Sequence, residues 1–113
     1  MRPVLPPEKL TPKALEKIQA FEGSVVTEVQ DAIRANRVVV VGMAQNPFVK
    51  KARNLLTEKG IEFKYLEYGS YFSSWKPRLA IKLWSGWPTF PQVFMEGRLV
   101  GGYQDLLEHL QKN

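Results

Sequence analysis

Four consecutive valines, Val38 to Val41, constrain this chain more than any other stretch of it. β-Branched side chains favour extended backbone. A strand with one face in water alternates apolar and polar residues, and this run does not alternate. It therefore reads as a strand buried on both faces, which needs a sheet covered by helices on either side. The fold class that follows is α/β.

The flanking segments supply those helices and further strands. Residues 1–10, with Pro3, Pro6 and Pro7, read as an extended lead-in. Thr11-Pro12 is a helix-start signal, and Leu15, Ile18 and Phe21 form a short apolar stripe that ends at Gly23. Ser24 is positioned to cap a second helix with Val26, Val29 and Ile33 on one face. After the valines, Asn46-Pro47 opens a helix in which Phe48, Ala52, Leu55 and Leu56 recur at helical spacing, with Gly60 as its stop. Glu62 to Glu67 reads as a second strand with Phe63 and Tyr65 on one face, and Ser73 to Trp84 as a helix with Pro77 confined to its first turn.

Phe90 to Met95 and Arg98 to Val100 form a predicted hairpin turning at Glu96-Gly97. A last helix follows Gly101-Gly102, with Leu106, Leu107 and Leu110 inward. Strand–helix–strand implies a parallel crossover, and the closing hairpin is antiparallel, so the expected sheet is four-stranded and mixed. Residues 1–23 are expected to be a helical extension ahead of a domain spanning 24–113.

Composition excludes several kinds of chemistry. Among 113 residues there is no cysteine, which removes disulfides, thiolate nucleophiles, zinc–thiolate sites and cysteine-held iron–sulfur clusters. His109 is the single histidine, too few for a histidine metal site, and reads as a surface imidazole on the last helix. The net charge of +5 implies mild attraction to anions, but the basic residues are scattered and no nucleic-acid motif accompanies them. The N-terminus has no apolar stretch suited to a signal peptide, and the apolar run from Val38 to Ala44 is too short to span a bilayer. The expected location is the cytoplasm, with neither membrane nor nucleic acid as partner.

Trp87-Pro88-Thr89-Phe90-Pro91-Gln92, followed after a short interval by Gly101-Gly102, narrows the reading. The combination resembles the glutaredoxins of the thioredoxin superfamily, in particular the monothiol branch, from about Ser24 to the C-terminus. The resemblance implies the thioredoxin/glutaredoxin fold, a cis-proline at Pro91 and a family activity of glutathione-dependent disulfide oxidoreduction. It also implies that the main chain of Phe90 faces an extended peptide ligand; the plainer alternative is that Pro91 is only an edge-strand proline. The family's cysteine motif falls on Asn46-Pro47-Phe48-Val49. Asn46 then takes the nucleophile's position and Val49 that of the second cysteine in dithiol members. An amide cannot attack a disulfide and valine has no ligand atom, so neither redox catalysis nor an iron–sulfur cluster is expected. Asn46-Pro47 still makes a good helix start, and the Asn46 amide has a further use if it contacts a ligand.

Three zones would hold glutathione by the same resemblance. The turn Thr89, Phe90 and Pro91 is intact. Arg78 and Lys82 match basic residues that pair with the ligand's carboxylate, although a solvated basic helix face explains them equally well. At Gly101, Gly102, Tyr103, Gln104 and Asp105, the positions of Tyr103 and Gln104 depart from the family pattern, and Met43 stands where relatives have a lysine. Tyr68, Tyr71, Phe72 and Trp75 either pack on their own domain or form a patch for a protein partner, and Lys50, Lys51 and Arg53 are either a basic rim or solvated helix surface. The function expected is a non-catalytic binding module for glutathione, a peptide or a partner protein. The alternative is a glutathione-linked enzyme in which the bound tripeptide supplies the thiol.

Overall fold

The central strand is β1, Val38–Gly42, and every one of its residues is buried. The computed structural model describes residues 5–73 and 75–112. In front of β1 come a single 3₁₀ turn at Pro7–Lys9, helix α1 at Pro12–Ala20 and helix α2 at Gly23–Ala35. Behind it follow α3 (Pro47–Glu58), β2 (Lys64–Glu67), α4 (Trp75–Ser85), β3 (Gln92–Met95), β4 (Arg98–Gly101) and α5 (Tyr103–Gln111). The strands lie in the order β2-β1-β3-β4, with β1 parallel to β2 and antiparallel to β3, and β3 antiparallel to β4.

Alternation along β1 divides the interior into two layers. Val39 and Val41 face Val29 of α2, Ile81 of α4, Phe90 and Phe94. Val38 and Val40 face Ala52, Leu55 and Leu56 of α3 and Leu106 of α5, with Leu107 and Leu110 packed at the margin. The helices cover both faces, as four uninterrupted valines require. No helix among the described residues is long and apolar enough to cross a membrane.

Several expected boundaries move, each for a local reason. The lead-in is not wholly extended, because Pro7–Lys9 closes a 3₁₀ turn; residues 1–4 lie outside the described residues. Thr11 caps α1 through the Ala14 amide, but Ile18 of the predicted apolar stripe is exposed. Ser24 does not cap α2. Glu22 takes a left-handed conformation (φ 47°) and its carbonyl accepts from Val25, so the helix begins two residues earlier than a Ser24 cap implies, at Gly23. β2 starts at Lys64 because that is where its pairing with Val39 begins, which leaves Phe63 just outside the strand. β3 starts at Gln92, after a proline that has no N–H to offer the ladder. α4 begins at Trp75 rather than Ser73, and Ser73 instead bridges back to Ser70. The hairpin turns at Glu96-Gly97, both at positive φ (52° and 78°), as a two-residue turn between right-twisted strands demands.

Gly42, the last residue of β1, is a matter of space. A Cβ there would lie 2.6 Å from Cγ1 of Val49 and 3.1 Å from a ring carbon of Tyr65. The missing side chain is what lets the first turn of α3 lie against the end of the strand. Gly42→Ala is therefore expected to lower stability by about 1–3 kcal/mol, the usual cost of overpacking. Urea unfolding checks this, and an unchanged midpoint would mean that Val49 simply swings aside.

Candidate functional site

The site is assembled where α3 begins. Asn46, in extended conformation, is the N-cap, and Pro47 follows it at the first helical position. Its Oδ1 accepts hydrogen bonds from the Phe48 amide at 2.9 Å and the Val49 amide at 3.1 Å. These are two of the four N–H groups that a helix start leaves without intrahelical partners. Its Nδ2 donates to the carbonyl oxygen of Phe90 at 3.5 Å, a long hydrogen bond that crosses from α3 to the turn before β3. Asn46 thus uses both ends of its amide. Val49 is buried behind it.

The Thr89–Phe90–Pro91 turn forms the opposite wall. Thr89 is exposed, Phe90 and Pro91 are buried, and the Phe90–Pro91 peptide is cis. The Lys82 ammonium stands 5.7 Å from the centre of the Phe90 ring. Gly101 sits at φ 126°, a conformation that disfavours any side chain, and a Cβ there would come within 2.8 Å of the Asp105 carboxylate. That carboxylate accepts from the Gly102 N–H at 3.0 Å, satisfying one amide at the start of α5. A Cβ at Gly102 would lie 3.7 Å from the Pro91 carbonyl oxygen, so this turn rests directly against the proline.

The structure therefore brings Asn46, Lys82, Phe90, Pro91, Gly101, Gly102 and Asp105 into one neighbourhood. Tyr103 borders it: the Lys51 ammonium lies 5.9 Å from its ring and 5.3 Å from the Phe48 ring, joining α5 to α3 through one cation. Gln104 is exposed at the margin. Arg78 precedes Lys82 by one turn on α4. It is buried, and its guanidinium donates to the carbonyls of Ser73 at 2.6 Å and Tyr68 at 3.0 Å. From α4 its guanidinium thus holds the loop that precedes the helix.

Trp87 and Gln92, which open and close the motif block in the sequence, carry a structural role here that the motif alone does not reveal. Gln92 is fully buried, and its Nε2 donates to the Trp87 carbonyl at 3.0 Å, which ties the Trp87–Pro91 segment back to β3. Trp87 Nε1 and Gln92 Oε1 are buried without a hydrogen-bond partner among the described residues. A glutamine inside an otherwise apolar strand was the available signal.

On the β2 side of Asn46 lies a cleft of about 540 Å³, lined by Met43, Gln45, Lys50, Arg53, Tyr65 and Glu67 among others, but by no residue of the Thr89–Pro91 turn. Arg53 stacks 3.9 Å from the centre of the Tyr65 ring, and the Tyr65 hydroxyl donates to Glu67 at 2.9 Å. Burial first, then the hydrogen bond to Glu67, pushes the Tyr65 phenol up to about 12. Burial and the hydrogen bond to Glu28 of α2 raise Tyr68 as well.

The described residues contain no cluster of three or more His, Cys, Asp or Glu able to hold a metal ion. Nor do the residues at the motif fit an iron–sulfur cluster: Asn46 Oδ1 is occupied by two amides and Val49 has no ligand atom.

Residues 38–100 match the family model for glutaredoxin. The chain belongs to the glutaredoxin family. It is 53% identical over 95 residues to a glutaredoxin-like protein of Dictyostelium discoideum, a match covering 84% of this chain and 77% of that one. It is 30% identical over 84 residues to glutaredoxin-C1 of Arabidopsis thaliana, covering 74% and 67% of the two chains. Among solved structures, reduced glutaredoxin C1 from Populus tremula x tremuloides superposes with a TM-score of 0.73 at 23% identity, covering 86% of this chain and 83% of that one. A buckwheat glutaredoxin–glutathione complex superposes with a TM-score of 0.68 at 18% identity, covering 80% and 83%. The fold is thus that of the thioredoxin/glutaredoxin proteins, carried by a chain without a thiol.

Two predictions follow from the geometry of Asn46 and Tyr65. Asn46→Ala should cost about 1 kcal/mol through loss of the cap, whereas Asn46→Asp, an equally good cap, should cost far less. Equal losses in thermal unfolding would show that the bond to Phe90, rather than the cap, is what stabilises. For Tyr65 the folded value exceeds the unfolded value of 10.0, so its contribution to stability is intact below pH 10 and declines as pH rises toward 12. An ultraviolet titration of the folded protein should show Tyr65 and Tyr68 ionising later than in urea; coincident curves would contradict the burial.

Proposed function

We propose that this glutaredoxin-family protein is a non-catalytic binding module whose groove, between Asn46, the Thr89–Pro91 turn and the Gly101–Asp105 turn, takes glutathione or a similar extended peptide anion. The observation that carries this reading is the convergence on Phe90 and Pro91. Asn46 reaches the Phe90 carbonyl from α3, Lys82 stands over the Phe90 ring from α4, and Gly102 abuts the Pro91 carbonyl from α5.

An extended peptide docks by exchanging main-chain hydrogen bonds with a segment such as Thr89–Phe90. A carbonyl oxygen has two lone pairs, so the long bond from Asn46 leaves the Phe90 carbonyl able to accept from a ligand as well. The Lys82 ammonium and the N-terminus of α5 are two positive features toward which a ligand's carboxylates would turn. The solved glutathione complex of a buckwheat relative with the same fold supports the choice of ligand. Asn46 supplies a hydrogen-bond donor where a nucleophile would stand, so the chain's own side chains offer recognition and no thiol exchange.

Titration of the isotopically labelled protein with reduced glutathione tests the reading. Amide shifts are expected at Phe90, Lys82, Gly101 and Gly102, and Lys82→Gln should weaken binding about two- to fivefold, as for an exposed ion pair. Absence of shifts at these positions up to millimolar glutathione would overturn it.

A further inference from the structure

Six of the large apolar side chains exposed on this protein fall between residues 71 and 84, and the most exposed is Phe72, at 93%. It sits at the tip of a tight turn. Ser70 and Ser73 exchange two main-chain hydrogen bonds of 3.3 Å, their hydroxyls meet at 3.2 Å, and the Ser70 hydroxyl accepts from the Phe72 amide at 3.3 Å. The buried Arg78 holds the base of this turn through the Ser73 and Tyr68 carbonyls. An aromatic side chain is thus held out into solvent by a stiff, internally bonded loop.

The stripe continues along α4. Trp75, Leu79 and Leu83 lie four residues apart in turn, so they form one row on the helix, and all three are exposed. The buried residues Arg78, Ala80 and Ile81 lie off this row. At 100° per residue Lys76 falls on one side of the row and Lys82 on the other; the Lys76 ammonium lies 5.8 Å from the Trp75 ring. No aspartate or glutamate occurs anywhere from Tyr68 to Met95.

We propose that Tyr71–Phe72 and the Trp75–Leu79–Leu83 row form a preorganised docking surface for a protein partner that presents an amphipathic helix with carboxylates beside its apolar ridge. Charge selects this occupant. A second copy would set Lys76 and Lys82 against their own counterparts, which repel. Anionic lipid surfaces are recognised by clusters of roughly four to eight basic residues, and only two lysines flank this row. An acid-flanked helix matches both lysines while covering the row by ordinary helix-on-helix packing. The stiffness of the Ser70–Ser73 turn lowers the ordering cost of using Phe72 as an anchor.

The test uses two designed helical peptides with the same leucine ridge, one flanked by glutamates and one by lysines, titrated into the labelled protein. The glutamate peptide should shift the amides of Phe72, Trp75, Leu79 and Leu83, and it should bind about tenfold or more tightly than the lysine peptide, with an advantage that shrinks in salt. Phe72→Ser and Leu83→Ser, both at exposed positions, should each weaken binding several-fold with circular dichroism unchanged. Equal binding of the two peptides, or shifts confined to other surfaces, would overturn the proposal. So would a concentration-dependent dimer abolished by Leu83→Ser, which assigns the face to a second copy. Co-sedimentation with phosphatidylserine vesicles in place of peptide binding would likewise overturn it by assigning the face to lipid.

Discussion

Everything at the site hangs on the junction between β1 and α3. β1 is buried on both faces, so its end is fixed in space by two layers of side chains. Gly42 then removes a side chain where Val49 must enter, and Asn46 closes the helix start with two hydrogen bonds. Those two amides would otherwise need another partner. The same residue reaches across to Phe90, so the cap of one element is also a tie between the two walls of the groove. Capping and wall-to-wall contact are therefore one constraint here.

This junction shows two uses to which a helix start can be put. At a helix N-terminus the free N–H groups and the dipole stabilise a negative group. A thiolate placed there is activated by them. An asparagine uses the same groups to satisfy its own carbonyl oxygen, and gains stability where a cysteine would gain reactivity. Phe90, Pro91 and Gly102 are also held from the other side, by β3, by the buried Gln92 and by the start of α5.

The fold was largely legible in the sequence because it is written in long-range patterns. The unalternating valines imply a covered sheet, and the leucines of α3 and α5 mark the side that covers Val38 and Val40. Turn chemistry placed the hairpin at Glu96-Gly97. Boundaries were less legible, since they depend on partners distant in the chain: β2 begins where Val39 is available, and α2 begins where Glu22 happens to turn. At the site, the residues named from the Trp87–Pro91 block and the Gly-Gly turn do converge. Arg78 shows what pattern leaves open. Spacing marks a basic residue on α4, but its burial and its bonds to two backbone carbonyls cannot be read from spacing.

Arg78 also connects the two surfaces of α4. A buried guanidinium costs desolvation unless its donors are met, and carbonyl oxygens of an irregular loop are suitable acceptors because no ladder uses them. By meeting them at Tyr68 and Ser73, it fixes the turn that carries Tyr71 and Phe72. Lys82, one turn further along the helix, stands between the apolar row and the groove, its ammonium 5.7 Å from the Phe90 ring centre. One short helix thus gives the groove a cation and stiffens an apolar surface outside it. A charge drawn into the fold at Arg78 organises the outer surface, while the charge left near the groove at Lys82 remains available for recognition.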